Sequence, residues 1–230
     1  MIMERKNFES CLSGWDVKNL LAKGSVGQVY EAYKDTCDYA IKVTRLNNST
    51  DEIEFNREKL ITREMSDVNV AAKLFESMIC IAPNGDKFGI MVFEKYDMTL
   101  SEYVLMMTEK YNLSLTIEEH TAIENLIKTM HSKGIAHLDL KPGNVMVKIR
   151  GGKPQFALID FGFSGHIDDK PLGSFSLDPN RIIAYYRKIY YSCFTSADAT
   201  NIRDHIGDVN WDARFIDERF LCVIRYWIRK

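Results

Sequence analysis

The hydrophobic pattern of this chain changes period once, near Thr99, and that change limits the fold more than any other feature. Ahead of it the apolar residues alternate. "VGQVYEAY" runs through "KDTCD" into "DYAIKV", which is the two-residue period of paired strands around a turn. "MICIA", "PNGDK" and "FGIMVFEKY" predict a second hairpin. Between the hairpins, "STDEIEFNREKLITREM" predicts a helix. Ser49 and Glu52 have the spacing of a capping box, and Ile53, Leu60, Ile61 and Met65 suit a packed stripe.

After Thr99 the period is helical. Thr99 with Glu102, and Thr116 with Glu119, repeat the capping-box spacing. Ile123, Leu126, Ile127 and Met130 form one stripe, and Gly134 is placed to stop that helix. "VMVKI" and "FALID", turned by "RGGKP", predict a short hairpin. A last helix carries Ile216, Phe220, Val223, Ile224, Trp227 and Ile228 on one side, read as a core face. The order predicts an α+β fold. A small β-rich lobe covers about residues 1–96, a connector lies near Glu94–Thr99, and a helical lobe covers about 97–230.

A chain of 230 residues buries enough surface to fold without staples. Its net charge of −2 sets up no basic field for nucleic acid or an anionic membrane. No apolar run reaches membrane-span length, and "MIMERKNFES" lacks a signal-peptide core. The five cysteines are odd in number, widely spaced and free of any CxxC, which predicts buried thiols in a reducing, intracellular setting.

Four polar groupings point to chemistry. In "LAKGSVGQVY", Gly24 and Gly27 sit between two strands, where glycine lets backbone N–H groups approach phosphates and also serves a plain turn. In "YAIKV", Lys42 has apolar neighbours, so an inward-facing ammonium needs an anionic partner. Glu58 and Glu54 both lie on the following helix at suitable positions. In "HLDLKPGNVMV", Asp139 can orient a hydroxyl, Lys141 can reach a phosphate, and Asn144 offers a carbonyl oxygen to a hard cation. In "LIDFGF", Asp160 ends an apolar strand and can complete a metal site with Asn144.

Together, Gly24-Ser-Val-Gly27-Gln-Val29, Ala40-Ile41-Lys42, His137-Leu-Asp139-Leu-Lys141-Pro-Gly-Asn144 and Asp160-Phe161-Gly162 resemble the protein-kinase signature set in the family's own order, across about Leu21 to Gly162. The resemblance implies a bilobal protein-kinase-like fold with a reduced helical C-lobe. It implies that Leu21, Ala22, Gly24, Ser25, Gly27 and Val29 cover the phosphates of ATP. Ala40 and Lys42 follow on the next strand, with Lys42 on the α- and β-phosphates and paired with Glu58. Phe93 guards the back of the adenine pocket, and Glu94 and Tyr96 lie on the connector that meets adenine. Asp139 is the base or orienting group, Lys141 steadies the γ-phosphate, and Asn144 and Asp160 bind Mg²⁺ or Mn²⁺. "DLKPGN" is the serine/threonine form, so the implied activity is transfer from ATP to a hydroxyl of a protein whose identity the sequence does not specify.

Several positions depart from the family. Ala22 stands for the first loop glycine, and Leu138 for the Arg that reads a phosphorylated activation loop. No Ala-Pro-Glu follows Gly162, and 68 residues remain beyond it, so the peptide platform is reduced. "DPNRIIAYYRKIYYSCF" is the candidate for the helix that underlies the catalytic loop. The segment after Gly162 offers Ser164, Ser174 and Ser176 with Lys170 and Arg181 as cations, too little for a phosphate switch. A small-molecule phosphotransferase and a scaffolding pseudokinase are the rival readings. Short kinase domains of this kind are similar to those of large DNA viruses, which implies a cytoplasmic location, in a host cell or a virion.

Overall fold

The computed structural model describes residues 5–24, 27–111, 114–167, 178–206 and 212–228. The chain is a mixed α+β protein that divides into two compact units, Met1–Asp67 with Ala71–Tyr96, and Val68–Val70 with Asp97–Lys230. Ser25, Lys170, Ser174 and Ser176 lie outside the described residues.

The first unit is a five-stranded antiparallel sheet in the order β1-β2-β3-β5-β4, with β1 Asp16–Lys23, β2 Gly27–Lys34, β3 Cys37–Leu46, β4 Leu74–Ile81 and β5 Lys87–Glu94. Both expected hairpins form. Two single 3₁₀ turns, Arg5–Asn7 and Glu9–Leu12, seat Phe8 and Leu12 in a core with Tyr30, Ile41, Val43 and Ile90. Helix α1 spans Ser49–Asp67.

Two details of α1 correct the sequence reading. Its cap lies one residue earlier than Ser49: Asn48 Oδ1 accepts from the N–H groups of Thr50 and Asp51 at 2.8 and 3.0 Å. Asp51 in return accepts from Asn47 N–H at 2.8 Å. The same reciprocal satisfaction of orphan donors is therefore reached by Asn and Asp rather than Ser49 and Glu52. Ile61 and Met65 are buried as expected, but Ile53 and Leu60 are 68% and 67% exposed. The packed face carries Phe55, Glu58, Thr62 and Met65 instead. Ile53 and Leu60 are seven residues apart, so one rotation of the helix exposes both.

Phe55 depends on a glycine. A Cβ at Gly89 on β5 would stand 2.4 Å from the Phe55 ring, so the bare backbone of that strand is what lets the aromatic seat.

In the second unit the helices dominate: α2 Leu100–Tyr111, α3 Ile117–Ser132, α4 Pro179–Tyr190, α5 Ser196–His205 and α6 Arg214–Arg225. Short strands connect them. β6 Met98–Thr99, β8 Val145–Arg150 and β9 Lys153–Leu158 form one sheet, and β7 Ile135–Ala136 pairs with β10 Gly165–His166. Both expected capping boxes are present, Thr99 with Glu102 and Thr116 with Glu119. The β8–β9 turn places Gly151 and Gly152 at φ +57° and +76°, which two adjacent glycines tolerate and other residues resist. The expected α6 stripe is partly helical: Ile216, Phe220 and Ile224 are buried, while Trp227 and Ile228 follow the helix.

The cysteine expectation is overturned. Cys11 pairs with Cys80 in the first unit, Cys193 pairs with Cys222 in the second, and only Cys37, exposed, is free. The partners are 69 and 29 residues apart, so no spacing rule reveals them; packing brings their Cα atoms to 5.8 and 6.0 Å. The inference of a reducing setting loses its support with the unpaired thiols. No helix among the described residues is long and apolar enough to cross a membrane.

Gly89→Ala should cost about 1–3 kcal/mol of unfolding free energy, the usual penalty for forcing a methyl group into a packed site. Urea unfolding with the slope unchanged measures it, and Phe55→Leu in the same chain should recover part of the loss.

Candidate active site

In the first unit the sheet sets the expected phosphate-side residues abreast. Ala22 on β1 pairs with Val29 on β2, Val29 with Lys42 on β3, and Lys42 with Met91 on β5. Ala40 pairs with Phe93. Cross-strand partners share a face, so these pairings bring Ala22, Val29 and Lys42 into one row. Leu21 also lies on β1, and Gly24 N–H donates to Gly27 C=O at 2.9 Å in the turn. Gly27 has a local reason to be glycine: a Cβ there would stand 2.9 Å from Thr44 Oγ1 and from Val43 C=O.

The partner of Lys42 is Glu58. Lys42 Nζ lies 2.5 Å from Glu58 Oε1, with both side chains largely buried. The choice between Glu58 and Glu54 follows from the rotation of α1, which points Phe55, Glu58 and Thr62 inward. A half-dry ion pair of this kind adds little net stability, but removing one partner leaves a buried charge, so it fixes geometry more than it supplies energy.

Glu94 N–H donates to Lys73 C=O at 2.9 Å, which ties the end of β5 at the expected connector. Beside it is a pair that the sequence did not reveal: Lys95 donates to Glu31 of β2, which also accepts from the Tyr33 hydroxyl. Lys95 holds the Glu31 carboxyl below its usual range, and Glu31 holds the Lys95 ammonium above its own. Tyr96 follows and closes this unit.

In the second unit the loop after β7 is built on one buried carboxylate. Asp217 of α6 accepts from the backbone N–H of His137 at 2.7 Å and of Leu138 at 2.9 Å, and its Oδ2 lies 3.0 Å from His131 Nε2. To offer both N–H groups to one acceptor the chain must turn sharply, and Leu138 adopts φ +65° to do it. A non-glycine residue there carries roughly 1–2 kcal/mol of strain, and two charge-assisted hydrogen bonds exceed that. The Leu138 side chain is buried, an apolar group where the family pattern has a cation.

That turn presents Asp139. It is 1% exposed, and three side chains donate to its carboxylate. Lys141 Nζ and Asn144 Nδ2 reach Oδ2 at 2.7 and 3.1 Å, and the Tyr185 hydroxyl reaches Oδ1 at 2.5 Å. Asn144 Nδ2 also donates to Asp139 C=O at 2.8 Å. Its amide nitrogen is thereby committed, and the carbonyl oxygen is the atom left to meet a cation.

Asp160 is exposed at the end of β9 and adopts φ +65°. Its neighbours are tied to the same loop: Ile159 N–H donates to Asn144 C=O at 3.0 Å, His137 Nε2 meets Ile159 C=O at 2.9 Å, and the Phe161 ring packs on the His137 ring. Strained residues at Leu138 and Asp160, held by surrounding bonds, are what a preorganised site looks like. Among the described residues no three His, Cys, Asp or Glu side chains gather to hold a metal. One amide oxygen and one carboxylate fit a cation such as Mg²⁺, which retains waters and takes its other ligands from phosphates. Ser164, one of the expected loop serines, is fully buried and donates to His137 C=O at 3.2 Å, so it serves the loop's scaffold.

Two residues here escaped the sequence reading. Asp217 carried a signal: an acid on the packed side of α6, among Ile216, Phe220 and Ile224, must find buried donors. It adds α6 to the α4 segment as a support of the loop, which α4 meets through Tyr185. Tyr185 carried none, since "AYYRKIYY" gives no reason to single out one tyrosine.

The family model of the protein kinase domain matches residues 15–181. Among curated relatives, a dual specificity tyrosine-phosphorylation-regulated kinase 2 of Drosophila melanogaster is 27% identical over 170 residues, 68% of this chain and 22% of its own length. The serine/threonine-protein kinase PknD of Chlamydia trachomatis serovar D is 23% identical over 195 residues, 79% of this chain and 20% of its own. The serine/threonine-protein kinase PknH of Mycobacterium bovis is 25% identical over 168 residues, 71% and 27%. The matches thus span about a quarter or less of each relative.

Asp217→Ala should lower the unfolding free energy by about 3 kcal/mol or more, since two charge-assisted bonds of about 1.5–3 kcal/mol each are lost and two buried N–H groups are stranded. Chemical denaturation followed by far-UV circular dichroism measures it.

Proposed function

The chain belongs to the protein kinase family, and on that premise we propose that it is an ATP-dependent serine/threonine protein kinase. The observation that carries the reading is the state of Asp139: a buried carboxylate held by Lys141 and Asn144 in a loop anchored on Asp217. Phosphoryl transfer asks the protein mainly for positioning and charge. Asp139 orients the acceptor hydroxyl and takes its proton as the oxygen bonds to phosphorus and the bond to ADP breaks. Lys141, half-exposed, can turn from Asp139 to the transferring phosphoryl group. Lys42, held by Glu58, is the cation for the α- and β-phosphates, and the turn Gly24–Gly27 covers them. Asn144 and Asp160 would hold Mg²⁺ or Mn²⁺, which neutralises phosphate charge when bound. Phe93, Glu94 and Tyr96 are the adenine-side residues.

The acceptor is proposed to be a protein on the strength of "DLKPGN" followed by Asp160-Phe-Gly. Leu138 favours the second reading, a small hydroxyl compound.

Labelled ATP offered with a casein-type protein, and in parallel with a panel of small hydroxyl compounds, should label the protein. Labelling of the small compounds alone would move the assignment, and no labelling at all with the fold intact would make the chain a scaffold. Asp139→Asn should lower kcat at least a hundredfold, with ATP affinity within a few-fold, because a positioned base contributes about 10²–10⁴-fold. Buried Leu138 and buried Ser164 also support activity without a loop phosphate. Protein co-expressed with a phosphatase should show its full initial rate, and a lag or a tenfold rise after incubation with ATP and Mg²⁺ would count against this.

A further inference from the structure

The two oxygens of Asp139 are held differently. Oδ2 is engaged from within its own loop, by Lys141 and Asn144. Oδ1 is engaged from 46 residues away, by the Tyr185 hydroxyl of α4. Among the described residues it has no other donor, so one of its two acceptor positions is left for a further hydroxyl. The Tyr185 ring is not a loose arm. It lies against the Tyr186 ring at 5.5 Å, and Tyr186 is buried and stacked on Tyr190 at 5.8 Å. Burial and the hydrogen bond to Asp139 push the ionisation of the Tyr185 phenol well above its usual range, which keeps it a neutral donor at any working pH.

Lys141 has a second task. Once it turns toward a transferring phosphoryl group, the Asn144 amide on Oδ2 and the Tyr185 phenol on Oδ1 are the bonds left to define the plane of the carboxylate. Resting on the reading of Asp139 as the hydroxyl-orienting group, we propose that Tyr185 is a positioning residue for phosphoryl transfer: its phenol sets the orientation of Asp139 from α4, and the acceptor hydroxyl binds Oδ1 beside it. The alignment of the base then depends on a packed helix.

The test uses the full chain and two independent readouts. In the first, protein labelled with ¹³Cζ-tyrosine is studied by NMR without nucleotide, the Tyr185 signal being assigned by its loss in Tyr185→Phe. That signal should move in Asp139→Asn, where a carboxylate acceptor becomes an amide; a signal that stays in place overturns the proposal whether or not the protein is active. In the second, Tyr185→Phe should lower kcat tenfold to a hundredfold with KM for ATP within twofold and a melting temperature within a few degrees. An unchanged kcat overturns the proposal. So does a faster enzyme, which would mean that the phenol competes with the acceptor. Fluorinated tyrosine placed at position 185 covers a Tyr185→Phe chain that does not fold, because it keeps the ring and changes only the donor. Its kcat should change at least threefold, and an unaltered value overturns the proposal. If wild type transfers phosphate to nothing, the kinase reading falls and the NMR arm still decides the contact between Tyr185 and Asp139.

Discussion

The Asp217 carboxylate is the interaction on which the loop that carries Asp139 depends. It is fully buried, and a carboxylate removed from water is tolerated only when donors replace the lost hydration. The donors are the N–H groups of His137 and Leu138, which precede Asp139 directly. Their need for one acceptor imposes the left-handed turn at Leu138, and that turn delivers Asp139 to Lys141, Asn144 and Tyr185. The direction of dependence runs one way. Lys141 and Asn144 lie a few residues from Asp139 and follow wherever the loop goes; Asp217 lies 79 residues from Leu138 and can act only once α6 has packed.

The first unit has a corresponding constraint in the Lys42–Glu58 pair. Lys42 is placed by sheet register, between Val29 and Met91. Glu58 is placed by helix rotation, and Phe55, seated on the bare backbone of Gly89, sets that rotation. The pair explains why α1 leaves Ile53 and Leu60 in solvent. A helix with apolar residues on more than one side buries the side that also satisfies its charge, and burying Ile53 and Leu60 would have turned Glu58 away from Lys42.

Against the family pattern, the chain retains Lys42, Glu58, Asp139, Lys141, Asn144 and Asp160 and changes what surrounds them. A buried leucine stands where the family pattern has a cation, a serine near the signature Asp-Phe-Gly is spent on the loop's own backbone, and a tyrosine from α4 touches the Asp139 carboxylate. Each of the three is held within the packed chain.

Much of this was legible in the residues alone. The period change at Thr99, both hairpins, the Thr99 and Thr116 caps and the paired glycines at 151–152 are matters of nearby sequence, and they formed as read. The cluster of Asp139, Lys141 and Asn144 was legible too, because the three lie close in the chain, and the structure joins them by hydrogen bonds. Tertiary structure decided the rest. It chose Glu58 over Glu54, since helix rotation is set by what packs beneath it. It paired Cys11 with Cys80 and Cys193 with Cys222 across gaps that no spacing rule covers. It also brought Asp217 and Tyr185 to adjacent residues of one short loop, Asp217 to His137 and Leu138 and Tyr185 to Asp139. Periodicity says that a residue faces inward; only the packed chain says which group it meets there.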